Sequence, residues 1–113
     1  MKRASLYFTA PGRVEIREEE IPAPTGGQVL VETLFSAISP GTELLLYRGL
    51  FPDDLPLDET IPGLRGPAGF PVKYGYSTVG RVTALGMGAP PEWEGRCVFS
   101  LHPHESRFWA DPA

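Results

Sequence analysis

The residues best suited to chemistry fall in two short stretches and one pair. The first stretch is AISPGTELLLYRG, residues 37–49. A Ser-Pro-Gly-Thr turn leads into a short apolar run, the pattern of a loop that enters a helix and points a side chain into a cleft. Thr42 supplies a hydroxyl at that helix start, where it could act on a ligand or serve as the N-cap. Glu43, in the first turn, suits the helix dipole and could fix a base or a backbone amide. The second stretch is LHPHESRF, residues 101–108, with the only two histidines, His102 and His104, and an adjacent Glu105. On an extended chain, positions two apart share a face, which would pair the imidazoles as metal ligands or cleft contacts. Pro103 between them disfavours a regular central strand, and two ligands do not make a tight metal site. Cys97 is the only cysteine, so an internal disulfide and a cysteine-based zinc site are excluded, and the residue reads as a small buried side chain.

These residues need a scaffold, and the composition describes it. The 113 residues suffice for one domain with a modest core. At 42% apolar content a folded globular domain is expected. The 10 basic and 14 acidic residues give a net charge of −4 without a basic cluster, which argues against nucleic acid and anionic membranes as partners. No apolar run approaches a bilayer span, and the N-terminal residues are too interrupted for a signal peptide, so the expected location is cytoplasmic. Thirteen glycines and thirteen prolines punctuate short β-rich runs, the pattern of an all-β domain.

Along the chain, 3–9 and 13–20 read as strands joined in a hairpin at Pro11-Gly12. In the second of these, Val14 and Ile16 alternate with Arg13, Glu15 and Arg17, as in a half-exposed strand. Residues 27–38 form the strongest strand. There Val29, Val31 and Phe35 share one face and Leu30 and Leu34 the other, so both faces are expected to be at least partly covered. Residues 42–49 are the only good helical candidate, with Gly49 at its C-terminal cap. Residues 50–71 read as a long irregular loop flanked by Phe51 and Phe70. These two could form an apolar lid over substrate or a patch that another domain covers. Residues 72–86 read as a long strand broken at Gly75 and Gly80, which mark bulges or a barrel corner. Residues 88–95 are a turn, and 95–104 and 106–113 are closing strands. Arg48, Arg65 and Lys73 could meet phosphates in a two-domain protein, although scattered single bases are usually solvated charges.

The order of PGRVEIREEEIPAP, GQVLVETLFSAIS, PGTE, FPVKYGYSTVGRVTALG and GRCVFS resembles the N-terminal GroES-like domain of the medium-chain dehydrogenase/reductase family. That family contains the zinc-type alcohol dehydrogenases and the quinone reductases. The resemblance covers nearly the whole chain and implies a mainly β fold, a partly open barrel with one short helix. The family's zinc members carry Cys-Gly-Thr-Asp where this sequence has Pro40-Gly41-Thr42-Glu43, and Gly-His-Glu where it has Gly75-Tyr76-Ser77. Proline offers no ligand, and tyrosine and serine are poor substitutes for histidine and glutamate, so no zinc is expected. Pro40 is then a turn former that presents Thr42. The sequence looks closer to a group with Ser-x-Gly-Thr-Glu and His-Pro-His signatures, here Ser39 to Glu43 and His102 to His104.

The resemblance implies a catalytic role for Thr42, whose hydroxyl would face the substrate oxygen and relay a proton. It places Tyr76 where a ligand histidine would be, able to hydrogen-bond a carbonyl. Phe51, Phe70, Ser77 and His102 are the candidate substrate-binding residues. The implied partners are a small-molecule substrate and a Rossmann dinucleotide-binding domain supplied in cis or in trans, because the sequence has no GxGxxG in a strand-to-helix setting. NAD(P)H is the cofactor implied for a two-domain protein, and none for the isolated chain, which would be inactive alone. Two readings follow: the substrate-binding half of a zinc-independent NAD(P)-linked oxidoreductase, or a stand-alone, non-catalytic domain that binds a partner or forms a homo-oligomer.

Overall fold

The structure, a computed structural model, describes residues 1–50 and 70–112. Among these residues it is mainly β, with one short α-helix and a 3-10 turn at Pro91–Trp93. Strands β1 (Lys2–Ala10) and β2 (Arg13–Glu20) form the expected hairpin around Pro11-Gly12, with Gly12 at φ 74°. With proline holding a negative φ at the first turn position, the positive φ falls to the second, where glycine supplies it without strain. Strands β3 (Val29–Ser36), β4 (Thr78–Leu85), β5 (Cys97–Ser100) and β6 (Arg107–Ala110) build a second sheet in the order β5-β4-β3-β6. Every pairing is antiparallel. Isolated bridges, Ser5 to Glu105 and Phe8 to Val72, tie β1 to the rest of the molecule. Among the described residues the sheets stay open rather than closing into a barrel.

Helix α1 (Thr42–Tyr47) begins at Gly41, which is the N-cap, so Thr42 is the first helical residue rather than the cap. Its C-terminus is closed as the sequence indicates. Gly49, at φ 75°, donates to the Leu46 carbonyl at 3.0 Å, and Leu50 donates to the Leu45 carbonyl at 2.9 Å. This pair of bonds satisfies carbonyls that the helix cannot. Six residues are too few for a helix to hold itself. Leu46, 1% exposed, anchors it against Phe8 and Tyr74, and Gly12 donates to the Tyr47 carbonyl at 2.6 Å.

Two apolar cores result among the described residues. One joins Phe8, Leu46 and Tyr74, with Phe70, Val72 and Tyr76 packed around it; the other joins Val29, Val31, Val82 and Phe108. Several local expectations change. The strand expected over 72–86 begins only at Thr78, and 73–77 is not strand. Gly80 lies beside a bulge carried by β3 between Thr33 and Phe35, and a Cβ there would meet Val31 Cγ1 at 2.5 Å. That register shift breaks the alternation of β3, and Leu34 and Phe35 are exposed instead of covered. On β2, Val14 and Ile16 are exposed, while Arg17 and Glu19 are the sheltered side chains. The strand expected over 95–104 ends at Ser100, ahead of the His-Pro-His run. Cys97, expected to be buried, is exposed on this short edge strand.

Candidate functional site

Beside the first core lies a cleft of about 370 Å³. Leu6 and Phe8 of β1, Val14 of β2, Ile38, and Leu44 and Tyr47 of α1 line it, and its polar lining is Ser36, Glu43 and His104. An apolar hollow with a few convergent polar groups is the usual form of a small-molecule site.

The polar groups are connected. Glu43, 2% exposed, sits 2.5 Å from His104 through Oε1 and Nε2. Its Oε2 accepts the backbone N–H of Ser39 at 2.6 Å. The opposite ring nitrogen, His104 Nδ1, lies 2.6 Å from Ser36 Oγ. Ser39 Oγ in turn accepts the Tyr76 hydroxyl at 2.7 Å. The ionised carboxylate accepts a hydrogen bond from Nε2–H, which leaves Nδ1 to accept from the Ser36 hydroxyl when the ring is neutral and to donate when it is charged. Local structure aims each member. The end of β3 presents Ser36, and the turn into α1 swings Glu43 back over Ser39. Gly75 makes room for the imidazole, because a Cβ at that position would lie 2.7 Å from His104 Nε2.

A second hollow of about 370 Å³ is lined by Arg3, Lys73, His102, Glu105 and Trp109, among others. Its charges already satisfy one another. Glu105 Oε2 meets Lys73 Nζ at 2.6 Å, an Arg3 guanidinium nitrogen at 3.1 Å and Ser5 Oγ at 3.0 Å, and Glu105 Oε1 meets His102 Nε2 at 2.6 Å. Glu19 binds the same two cations at 2.8 and 3.0 Å. Burial alone would raise the Glu105 carboxyl, but hydrogen bonds from His102 and Lys73 and their charges outweigh it and hold the group at about 2. Glu19 is likewise held at about 2, with hydrogen bonds from Tyr7, Lys73 and Arg3 prevailing over burial. The same carboxylates raise Lys73, against a burial effect of opposite sign. This network clamps β1 and β2 to the 102–105 segment, and the cleft beside α1 is the better candidate for binding.

The structure distributes the residues singled out from the sequence. Thr42 is half-buried and is not among the residues that line the cleft. Tyr76 packs at the edge of the first core, edge-on to Tyr74, with its hydroxyl directed to Ser39. Phe70 packs on the same core. Ser77 accepts the Ala37 N–H through its backbone carbonyl at 2.9 Å. His102 stacks on Phe108, with ring centroids 3.6 Å apart, and belongs to the Glu105 network. Phe51 and Arg65 lie outside the described residues, as does most of the 50–71 loop. Lys73 is committed to two carboxylates rather than free for a phosphate, and Arg48 is exposed. The two histidines do not act as a pair: one turns to Glu105, the other to Glu43, because Pro103 interrupts any strand between them. Among the described residues no group of three or more His, Cys, Asp or Glu side chains is placed to hold a metal ion. No helix among them is long and apolar enough to cross a membrane. Sequence reasoning missed Ser36 and Ser39. Ser36 meets His104 across 68 residues and carries no local signal for that contact.

The chain shows a likeness to a dehydrogenase. Over 82 residues, 73% of its length, it is 29% identical to the 2-desacetyl-2-hydroxyethyl bacteriochlorophyllide A dehydrogenase of Cereibacter sphaeroides. The match spans 22% of that protein, so the chain corresponds to about a fifth of it. This distant, partial similarity supports an oxidoreductase-like relationship, in keeping with the resemblance to medium-chain dehydrogenases/reductases. No family model matches the chain. No solved structure matches it.

Proposed function

We propose that the chain is the substrate-binding half of an NAD(P)-linked oxidoreductase of the medium-chain dehydrogenase/reductase type. The observation that carries this reading is the apolar cleft whose polar lining is a buried carboxylate, an imidazole and a hydroxyl in one hydrogen-bonded line. Such a cleft takes a largely apolar small molecule and offers its oxygen a proton-exchanging partner. The dehydrogenase likeness supports the same reaction class.

The dinucleotide does not fit the described residues. A βαβ phosphate-binding unit needs parallel strands, and all the strand pairs here are antiparallel. A dinucleotide-binding domain in cis or in trans would therefore supply the cofactor site. Zinc does not fit the motif positions either, since Pro40, Tyr76 and Ser77 supply no good donor set; the reading is zinc-independent.

The test is to tag Met1 at the native locus, purify the protein from its source, and measure its intact mass, bound partners and NAD(P)H oxidation with quinones, ketones and aldehydes. We expect a dinucleotide-binding domain in the same chain or co-purifying, and NAD(P)H-dependent reduction. A 12.3 kDa species that copurifies with no dinucleotide-binding protein and oxidises neither cofactor would overturn the reading.

A further inference from the structure

The line Ser36–His104–Glu43 has a property that the motif resemblance does not contain. Thr42 is the residue to which that resemblance assigns a proton relay, yet it is not among the residues that line the cleft. Ser36 lines the cleft and lies 2.6 Å from His104 Nδ1. The ring cannot pivot freely: Glu43 holds Nε2, Gly75 lies against that same edge, and the His104 backbone carbonyl accepts the Leu6 N–H at 3.0 Å. Glu43 is itself fixed through Ser39, which also receives Tyr76. The histidine side chain is 10% exposed and its carboxylate partner 2%, and all three members of the line border the cleft.

We propose that Ser36 and His104 form the proton relay of this cleft, with Ser36 as the residue that touches the substrate oxygen and Glu43 as the positioning residue that sets the imidazole's tautomer and orientation. The inference rests on the oxidoreductase reading for its substrate class, a carbonyl or alcohol on a largely apolar molecule. As negative charge develops on the substrate oxygen, the Ser36 O–H bond breaks and a new O–H bond forms on the substrate. Ser36 takes the Nδ1 proton in the same transfer, and the imidazolium becomes neutral imidazole. No electrons pass between these groups. The ring regains its proton through the cleft when the product has left. For alcohol oxidation the proton runs the other way. A carboxylate–imidazole–hydroxyl line is an arrangement that serves general acid–base chemistry, with the carboxylate orienting the imidazole.

The experiment uses the full 113-residue chain labelled with ¹⁵N in its histidines, and phenol as the probe, an aromatic ring for the apolar walls with a single hydroxyl. NMR reads both histidines, with His102 as the internal control. Phenol is expected to shift His104 Nδ1 and leave His102 in place. In Ser36→Ala the His104 shift is lost while phenol still moves the methyl signals of Ile38 and Leu44. Glu43→Gln is expected to change the His104 tautomer balance before any phenol is added. A His104 signal that ignores phenol in the native chain, or responds equally in Ser36→Ala, overturns the relay. In the purified NAD(P)-linked protein, Ser36→Ala is expected to lower kcat by roughly 10²–10⁴-fold with KM little changed, and unchanged kcat overturns the relay. Loss of the oxidoreductase reading is separately visible: the NMR coupling would persist in a protein that oxidises no NAD(P)H.

Discussion

Replacing Glu105 by glutamine removes one buried charge and keeps the shape of the side chain. In the fold Glu105 is 6% exposed and faces Lys73, Arg3 and His102. Its carboxyl titrates at about 2 in the fold against an ordinary value of 4.5, a gap worth about 3 kcal/mol of stability at neutral pH. A carboxyl lowered by folding stabilises the fold above its unfolded value, and that contribution is lost as pH falls towards the folded value. The window is therefore pH 4.5 down to about 2. Glu19 is lowered over the same range. Within the window each of the two groups contributes a slope of up to about 1.4 kcal/mol per pH unit. Urea unfolding followed by the fluorescence of Trp93 and Trp109 would read both quantities. Glu105→Gln is expected to lose about 3 kcal/mol at pH 7, within the range for breaking a buried pair. It is also expected to show roughly half the native slope between pH 4.5 and 2.5, because Glu19 remains. A loss under about 1 kcal/mol at pH 7, or a slope identical to the native one, would refute the reasoning that this network holds the hairpin to the 102–105 segment.

Two further predictions concern the cleft. Gly75→Ala places a methyl 2.7 Å from His104 Nε2, and its expected cost is about 1–3 kcal/mol by overpacking; urea unfolding would measure it, and a His104 NMR environment identical to the native one would show that the ring was never confined there. Leu46→Ala removes the anchor of α1 from the Phe8–Tyr74 core and is expected to cost about 2–5 kcal/mol. Amide hydrogen exchange should then rise selectively at Leu45 and Arg48, and unchanged protection would contradict the view that α1 is held by packing rather than by its own bonds.

The contrast between the two histidines shows where sequence reasoning ends. His102 and His104 were both visible as candidates, and Pro103 between them was visible as a reason to doubt a regular strand. Nothing local says that one imidazole meets Glu105 three residues away and the other meets Glu43 across 61 residues. Glu43 read as a helix-dipole residue because its neighbours in sequence suit that role; its burial against His104 depends on how α1 docks on β1. Ser36 was one polar residue at the end of an apolar strand.

What the sequence determined by itself is what short-range physics controls. The Pro11-Gly12 hairpin, the helix start after Pro40-Gly41, its closure at Gly49 and the mainly β character all follow from backbone preferences within a few residues. The tertiary structure alone decided the bulges of β3, the exposure of Val14 and Phe35, the ion network around Glu105, and the Ser36–His104–Glu43 line. Those features are pairings between segments up to 100 residues apart, as between Ser5 and Glu105. Periodicity and turn chemistry describe which way a side chain points from its own strand or helix. Its partner is chosen only when separate elements pack, and that choice sets the charge, burial and chemistry of the cleft.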